Sequence, residues 1–322
     1  MGSRLPPLLQ GQGRAGDERF AAEAARAAAR RRARGACAAG NHRATTARRA
    51  IDRIVAPPAR RACAQRDAGH AARPVDRSLP GTELAPGLWS IETHLPIAPP
   101  SDLSLAFAAR TTAARLRGHA AAAPPLPDRV DPRDLLFFDT ETTGLAGGTG
   151  TRAFMVGAAD FHRHPDHGDG LRVRQLLIAT IAAEADLLRA FAGWLSPRTV
   201  LASYNGRCYD APLLKTRYRL ARLPDPLHGL AHVDLLFPAR RRWRGRWADC
   251  RLATIEREAL GVVRDDDLPG SQAPAAWLQF LRGGSSALLK RVAAHNHQDV
   301  VTLALLAAEL AALHAGDAAR AG

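Results

Sequence analysis

The chain has 322 residues, 46% of them hydrophobic, and a formal net charge of +14. That length holds one large domain or two small ones with a full core. No run is expected to reach the apolar length of a membrane span, and the opening MGSRLPPLLQGQGR lacks the order of a secretory signal.

The four cysteines, Cys37, Cys63, Cys208 and Cys250, form no CxxC pair. This argues against a zinc site or a disulfide framework and points to a reducing, cytoplasmic setting with no membrane partner. Residues 1–80 hold 17 Arg, no Lys and 6 acidic residues, so they carry +11 of the net charge and leave the remainder near neutral. Their Ala- and Arg-rich composition, nearly without aromatics, predicts a disordered basic tail, with an isolated helix over Phe20–Arg34 as its one local preference. Such a tail is either inert or an electrostatic arm for phosphate backbones.

Residues 81–127 read as a lead-in, with one short strand in PGLWSIETHLPI and a Pro-rich linker in AAAAPPLPDRVDP. The regular pattern begins after it, in a domain expected over 128–315. Leu135–Asp139, Ala153–Phe161 and Leu171–Ala179 have the apolar character of strands, the last two joined by a polar hairpin loop, His162–Asp169. Glu184–Leu195 has helical period. Val200–Tyr204 is a fourth strand, followed by a helix starting near Ala211-Pro212, and an Ala/Leu helix runs from Ser286 to His314. A three-strand meander followed by alternating helix and strand predicts an α/β fold, a mixed sheet flanked by helices and compatible with the ribonuclease-H-like class.

Four acids stand out against this frame: Asp139 and Glu141 in LLFFDTETTGL, Asp210 in YNGRCYD, and Asp299 in HNHQDVV. Asp139 and Glu141 are two apart on a strand and share a face. A solvated strand end would explain that pair alone. Asp210, however, follows the fourth strand, where open α/β sheets place ligands, and Asp299 interrupts an apolar helix. Carboxylates gathered from distant segments suit hard cations such as Mg²⁺ or Mn²⁺, and two such ions can serve phosphodiester hydrolysis. His295 lies four residues before Asp299 and can face the same side, whereas His297 points elsewhere.

With these residues the chain resembles the DEDD superfamily of 3′–5′ exonucleases, and more closely the YprB-like, ribonuclease-H-like proteins. The resemblance covers roughly residues 130–310 and rests on DTETTGLAGGTGTRAFMVG, ASYNGRCYDAPLL, HVDLLFPARRRW, CRLATIEREALG, RDDDLPGSQAP, FLRGG and HNHQDVVTL. It implies Asp139, Glu141, Asp210 and Asp299 as ligands of two Mg²⁺ or Mn²⁺ ions, with Asn205 and Tyr209 shaping the site. Members of the superfamily usually carry Tyr four residues before the last Asp, or His five before it. This chain has His295 at the first position and Ala294 at the second. His295 is therefore either the base that orients water or a polar neighbour of the metal ligands.

The implied activity is exonucleolytic hydrolysis of single-stranded DNA or RNA. A structure-selective endonuclease and a catalytically silent nucleic-acid-binding module are the alternatives. Thr142, beside Glu141, is a further candidate for substrate contact; so are Arg240, Arg241 and Trp243, because RRRWRGRW interleaves guanidinium groups and indoles, although a solvated connector with packed tryptophans fits equally. Asp234 is expected to position the adjacent segment. The His-rich 162–169 stretch and Asp265–Asp267 are expected to be solvated loops, and the GGTG run a tight turn.

Overall fold

The structure, a computed structural model, describes residues 75–100, 103–108, 126–144, 149–264 and 267–321. The expected tail helix, most of the basic tail, part of the Pro-rich linker and the first half of the GGTG run lie outside them. Pro74–Gly322 forms one compact unit.

Among the described residues the nine strands are β1 (Thr82–Ala85), β2 (Leu88–Leu95), β3 (Leu103–Ser104), β4 (Arg129–Val130), β5 (Leu135–Thr142), β6 (Ala153–His164), β7 (Gly168–Ile178), β8 (Val200–Ser203) and β9 (Ala231–Asp234). The α-helices that lie wholly within the described residues are α1 (Glu184–Ala192), α2 (Asp210–Leu220), α3 (Leu236–Trp243), α4 (Leu252–Ile255), α5 (Ala273–Leu281) and α6 (Ala287–Ala321). Seven strands form a mixed sheet in the order β1-β2-β7-β6-β5-β8-β9. β5 is the seam: it pairs antiparallel with β6 and parallel with β8. Its pairing with β8 ends at Phe137, so Asp139 and Glu141 extend past the shorter neighbour.

Alternation along β5 feeds two apolar layers. Leu136 and Phe138 join one with Leu187, Phe191, Leu214 and Trp277, while Leu135 and Phe137 join the other with Phe161, Val233 and Trp243. Phe154 stacks on Trp277 with centroids 5.2 Å apart, and the indole Nε1 donates to the Ile178 carbonyl oxygen at 2.7 Å. α6 serves both layers: Leu289, Val292 and Ala293 belong to the first, Val300 to Leu310 to the second. Asp299 lies where the helix passes from one to the other.

Several boundaries differ from expectation. The lead-in is not a separate segment: β1 and β2 belong to the sheet, and all eight residues of β2 pair with β7. The boundary expected at residue 128 thus falls inside the folded unit, because one short strand signal gives no hint of a distant partner. β6 and β7 run on through His164 and from Gly168, so the expected eight-residue hairpin loop shrinks to Pro165–His167. α1 stops at Ala192, and α2 starts at Asp210 itself. α6 is longer than expected, and by length and composition alone it is apolar enough to cross a bilayer. Here, however, Val300, Leu303, Leu306 and Leu310 are packed in the core.

Close approach of α6 to the sheet depends on Gly157, which sits opposite Asp139 on β6. A Cβ there would lie 2.0 Å from Asn296 Oδ1 of α6. We therefore expect Gly157→Ala to force the helix outward and destabilise the fold by about 1–3 kcal/mol. Urea denaturation would measure this, and an unchanged midpoint would show that the helix does not depend on the missing side chain.

Candidate active site

The strand geometry that lines up Asp139 and Glu141 on one face also brings them under α6. Asn296, fully buried on that helix, donates from Nδ2 to Asp139 Oδ2 at 3.0 Å. Its Oδ1 accepts from Gln175 Nε2 at 2.9 Å, and the same Gln175 nitrogen donates to the Ala293 carbonyl oxygen at 2.8 Å. This buried amide chain fixes Asp139 to two neighbouring elements. Sequence reasoning missed both amides, since an Asn inside HNHQD looks like an ordinary polar helix residue.

Asp210 reaches the same place through the turn after β8. Asn205 adopts φ 67°, and Gly206 lies so close to Ser203 and Asp210 that a Cβ would meet Ser203 Oγ at 2.5 Å. Asp234 holds this turn, accepting from the backbone N–H groups of Asn205 (2.7 Å), Leu236 (3.1 Å) and Arg207 (3.3 Å). The positioning part expected for it is what the structure shows. Asp210 then opens α2, where the helix dipole favours a carboxylate, and its Oδ1 accepts from Thr140 Oγ1. Beneath the turn, Ser203 Oγ pairs with His232 Nε2 at 2.7 Å, and burial pushes that imidazole down to about 3.

The four expected acids converge. Burial, then the charges of Asp299, Asp210 and Glu141, raise Asp139 well above the usual carboxylate range. Glu141 is pushed up to about 8 by burial, then by Asp299, Asp210 and Asp267. Asp210 is pushed up to about 6, again chiefly by burial, against the opposing hydrogen bond from Thr140. Carboxyls that raise one another's pKa lack positive charge, and this all-oxygen donor set matches the preference of a hard divalent cation. Among the described residues, however, no three His, Cys, Asp or Glu side chains form a ready-made metal cage. Thr140 and Asn296 occupy Asp210 and Asp139, and Asp299 is tied to Arg264, whose Nη2 donates to its Oδ1. The residues fit a metal by chemistry, with Asp299 still engaged elsewhere.

His295 faces Asp299, as its spacing predicted, with Nε2 at 3.4 Å from Oδ2. Its Nδ1 lies 2.7 Å from Asp267 Oδ1 and 3.1 Å from Arg264 Nη1. One ring nitrogen cannot both donate to the carboxylate and accept from the guanidinium, so these contacts mark two alternative tautomers. Asp267 is exposed, as a solvated loop requires, and is in addition a partner of His295; Asp265 and Asp266 lie outside the described residues. His297 points away and pairs with Thr93 Oγ1 at 2.9 Å.

The candidates for substrate contact separate. Tyr209, 61% exposed beside Asp210, and Arg240 are open to solvent. Thr142 Oγ1 donates to the Gly144 carbonyl oxygen at 2.9 Å, and Arg241 to that of Phe107. Trp243 is 4% exposed and stacks on Trp247 with centroids 5.6 Å apart, so it presents no face to a base. In that stretch the two tryptophans pack together, while Arg240, Arg244 and Arg246 are exposed. The His-rich turn is more than a solvated loop, since His164 and His167 stack at 4.5 Å and both approach His94 of β2.

The raised acids carry a pH signature. A carboxyl whose folded pKa exceeds its unfolded value near ~4 loses stability as pH rises through that interval. With Glu141 at about 8, the loss spans roughly pH 4 to 8. In chelator, Glu141→Gln should therefore gain on wild type by a few kcal/mol between pH 5 and 8.5, read by urea denaturation. A gap between the two proteins that does not move with pH would contradict the crowding.

A family model described as the RNase_H superfamily matches residues 136–311. The chain is 38% identical over 175 residues to YprB of Bacillus subtilis (strain 168), an alignment covering 53% of this chain and 40% of that protein, so it spans well under half of that relative's length. Solved structures of exonuclease I are also similar. A product-bound form aligns at 16% identity and TM-score 0.32, covering 50% of this chain and 46% of the other. The ExoI/SSB-Ct complex aligns at 16% identity and TM-score 0.31, covering 50% and 43%. Those two likenesses are too weak to bear on activity. The family match, running from β5 through most of α6 over more than half of the sequence, is of another order: the chain belongs to the RNase_H superfamily.

Proposed function

We propose that this chain is a metal-dependent nuclease, a 3′–5′ exonuclease acting on single-stranded nucleic acid. The observation that carries the reading is the convergence of Asp139, Glu141, Asp210 and Asp299 from β5, α2 and α6, where burial first and neighbouring carboxylates second push Asp139, Glu141 and Asp210 upward. These four residues would hold two Mg²⁺ or Mn²⁺ ions. When bound, such ions polarise a phosphodiester and acidify water.

The remaining work belongs to the chain's own groups. Asn296 and Gln175 hold Asp139 in one rotamer, which keeps the reacting groups in register. With Nδ1–H donated to Asp267, His295 carries its lone pair on Nε2, on the side of Asp299, where it can take a proton from the attacking water. Asp267 then stabilises the imidazolium that results. Tyr209 offers an exposed ring next to Asp210, and stacking on such a ring holds bases without reading sequence. Arg240 adds an exposed positive charge for the phosphate backbone.

Incubation with Mn²⁺ and 5′-labelled single-stranded DNA or RNA should give progressive shortening from the 3′ end, with mononucleotides released. Asp139→Asn should lower the rate by roughly 10³-fold or more. Discrete internal fragments would replace the exonuclease reading with an endonuclease, and undiminished activity in Asp139→Asn would remove these acids from the chemistry. His295→Ala should lower kcat by roughly 10²-fold or more with little change in KM. A loss confined to KM would make His295 a binding residue.

A further inference from the structure

We propose that Arg264 is a tethered internal cation that competes with the divalent ion for Asp299 and so sets the ion affinity of the centre. This rests on the reading of the four acids as metal ligands. The side chain is 11% exposed and spans two carboxylates, with Nε donating to Glu256 Oε2 at 2.6 Å and Nη2 to Asp299 Oδ1. Its Nη1 lies 3.1 Å from His295 Nδ1 and 3.4 Å from Asp267 Oδ2. The guanidinium therefore touches the last acid, the candidate base and the base's own carboxylate.

The two ends of this bridge are built differently. Glu256 is 1% exposed and is held by Thr302 Oγ1 at 2.7 Å and Gln298 Nε2 at 2.9 Å, both on α6. It begins a π-helical turn, Glu256–Leu260, which directly continues α4; such turns recur where a side chain must be aimed. That end is an anchor. Asp299, by contrast, receives among the described residues only Arg264 and the long approach of His295, and it faces the other three acids. One unit of charge on a tether partly supplies what a free ion would supply in full. An incoming divalent ion must draw Asp299 away from the guanidinium, while the bond to Glu256 keeps Arg264 from leaving.

The same exchange bears on His295. While Arg264 donates toward Nδ1, that nitrogen must accept, and the proton sits on Nε2 facing Asp299. Once Arg264 withdraws, Nδ1–H can be given to Asp267 and the Nε2 lone pair is released. Ion occupancy and the availability of the base are thereby linked through one side chain.

Mn²⁺ binding to the full chain without substrate, followed by electron paramagnetic resonance of the free ion, tests this directly. Arg264→Gln should bind Mn²⁺ about tenfold more tightly than wild type. Because the single variant leaves Glu256 buried without its cation, Arg264→Gln/Glu256→Gln is measured beside it; neither ion-pair charge remains there and Asp299 is still freed, so tighter binding is expected again. Unchanged or weaker affinity in the double variant would overturn the proposal and leave Arg264 a clamp for Asp299. Asp139→Asn separates the two levels. If it binds Mn²⁺ like wild type, the reading of the acids fails, whereas if it loses the ion while the Arg264 variants do not gain affinity, only the competition fails.

Discussion

Crowded negative charge is the constraint around which this molecule is arranged. Burial together with the charges of Asp299 and Asp210 raises Asp139 and Glu141, and burial raises Asp210, so the carboxylates need partners that hold them in place. Thr140 holds Asp210, Asn296 holds Asp139, and Arg264 holds Asp299. Each of these partners comes from, or packs against, an element whose position is fixed by the apolar layers. The site is therefore a property of the whole sheet.

The seam strand makes this possible. β5 changes from an antiparallel neighbour to a parallel one and outruns the latter, so its last residues lie where β8 no longer pairs. α6 passes over that point because Gly157 permits it, bringing Asn296 and Asp299 to the carboxylates with no loop between them. Side chains on strands and helices are held more precisely than side chains on loops, which suits chemistry sensitive to fractions of an ångström.

Much of this was legible in the sequence, for identifiable reasons. The period-two spacing of Asp139 and Glu141 and the four-residue spacing of His295 and Asp299 are local rules of backbone geometry, and both held. Apolar runs marked β5 to β8 because their side chains fill layers on both faces. What stayed hidden was non-local. No spacing rule connects Arg264 with Asp299, 35 residues away, or Gln175 with Asn296, 121 residues away. RRRWRGRW left a binding surface and packed tryptophans equally open for the same reason: Trp243 turns inward on Trp247, and only the core decides that.

The pairing of β2 with β7 has a consequence for how the sheet is protected. Eight residues of β7, Leu171 to Ile178, have their outer backbone groups covered by β2, which is itself shielded by β1 for only part of its length. Cutting the chain at residue 128, where the motifs begin, would keep every acid yet bare a long strand carrying Leu171, Val173, Leu176 and Leu177. Open edges of that kind recruit other chains into intermolecular sheets. The two N-terminal strands thus cover an edge that would otherwise be open, a duty separate from holding the four acids.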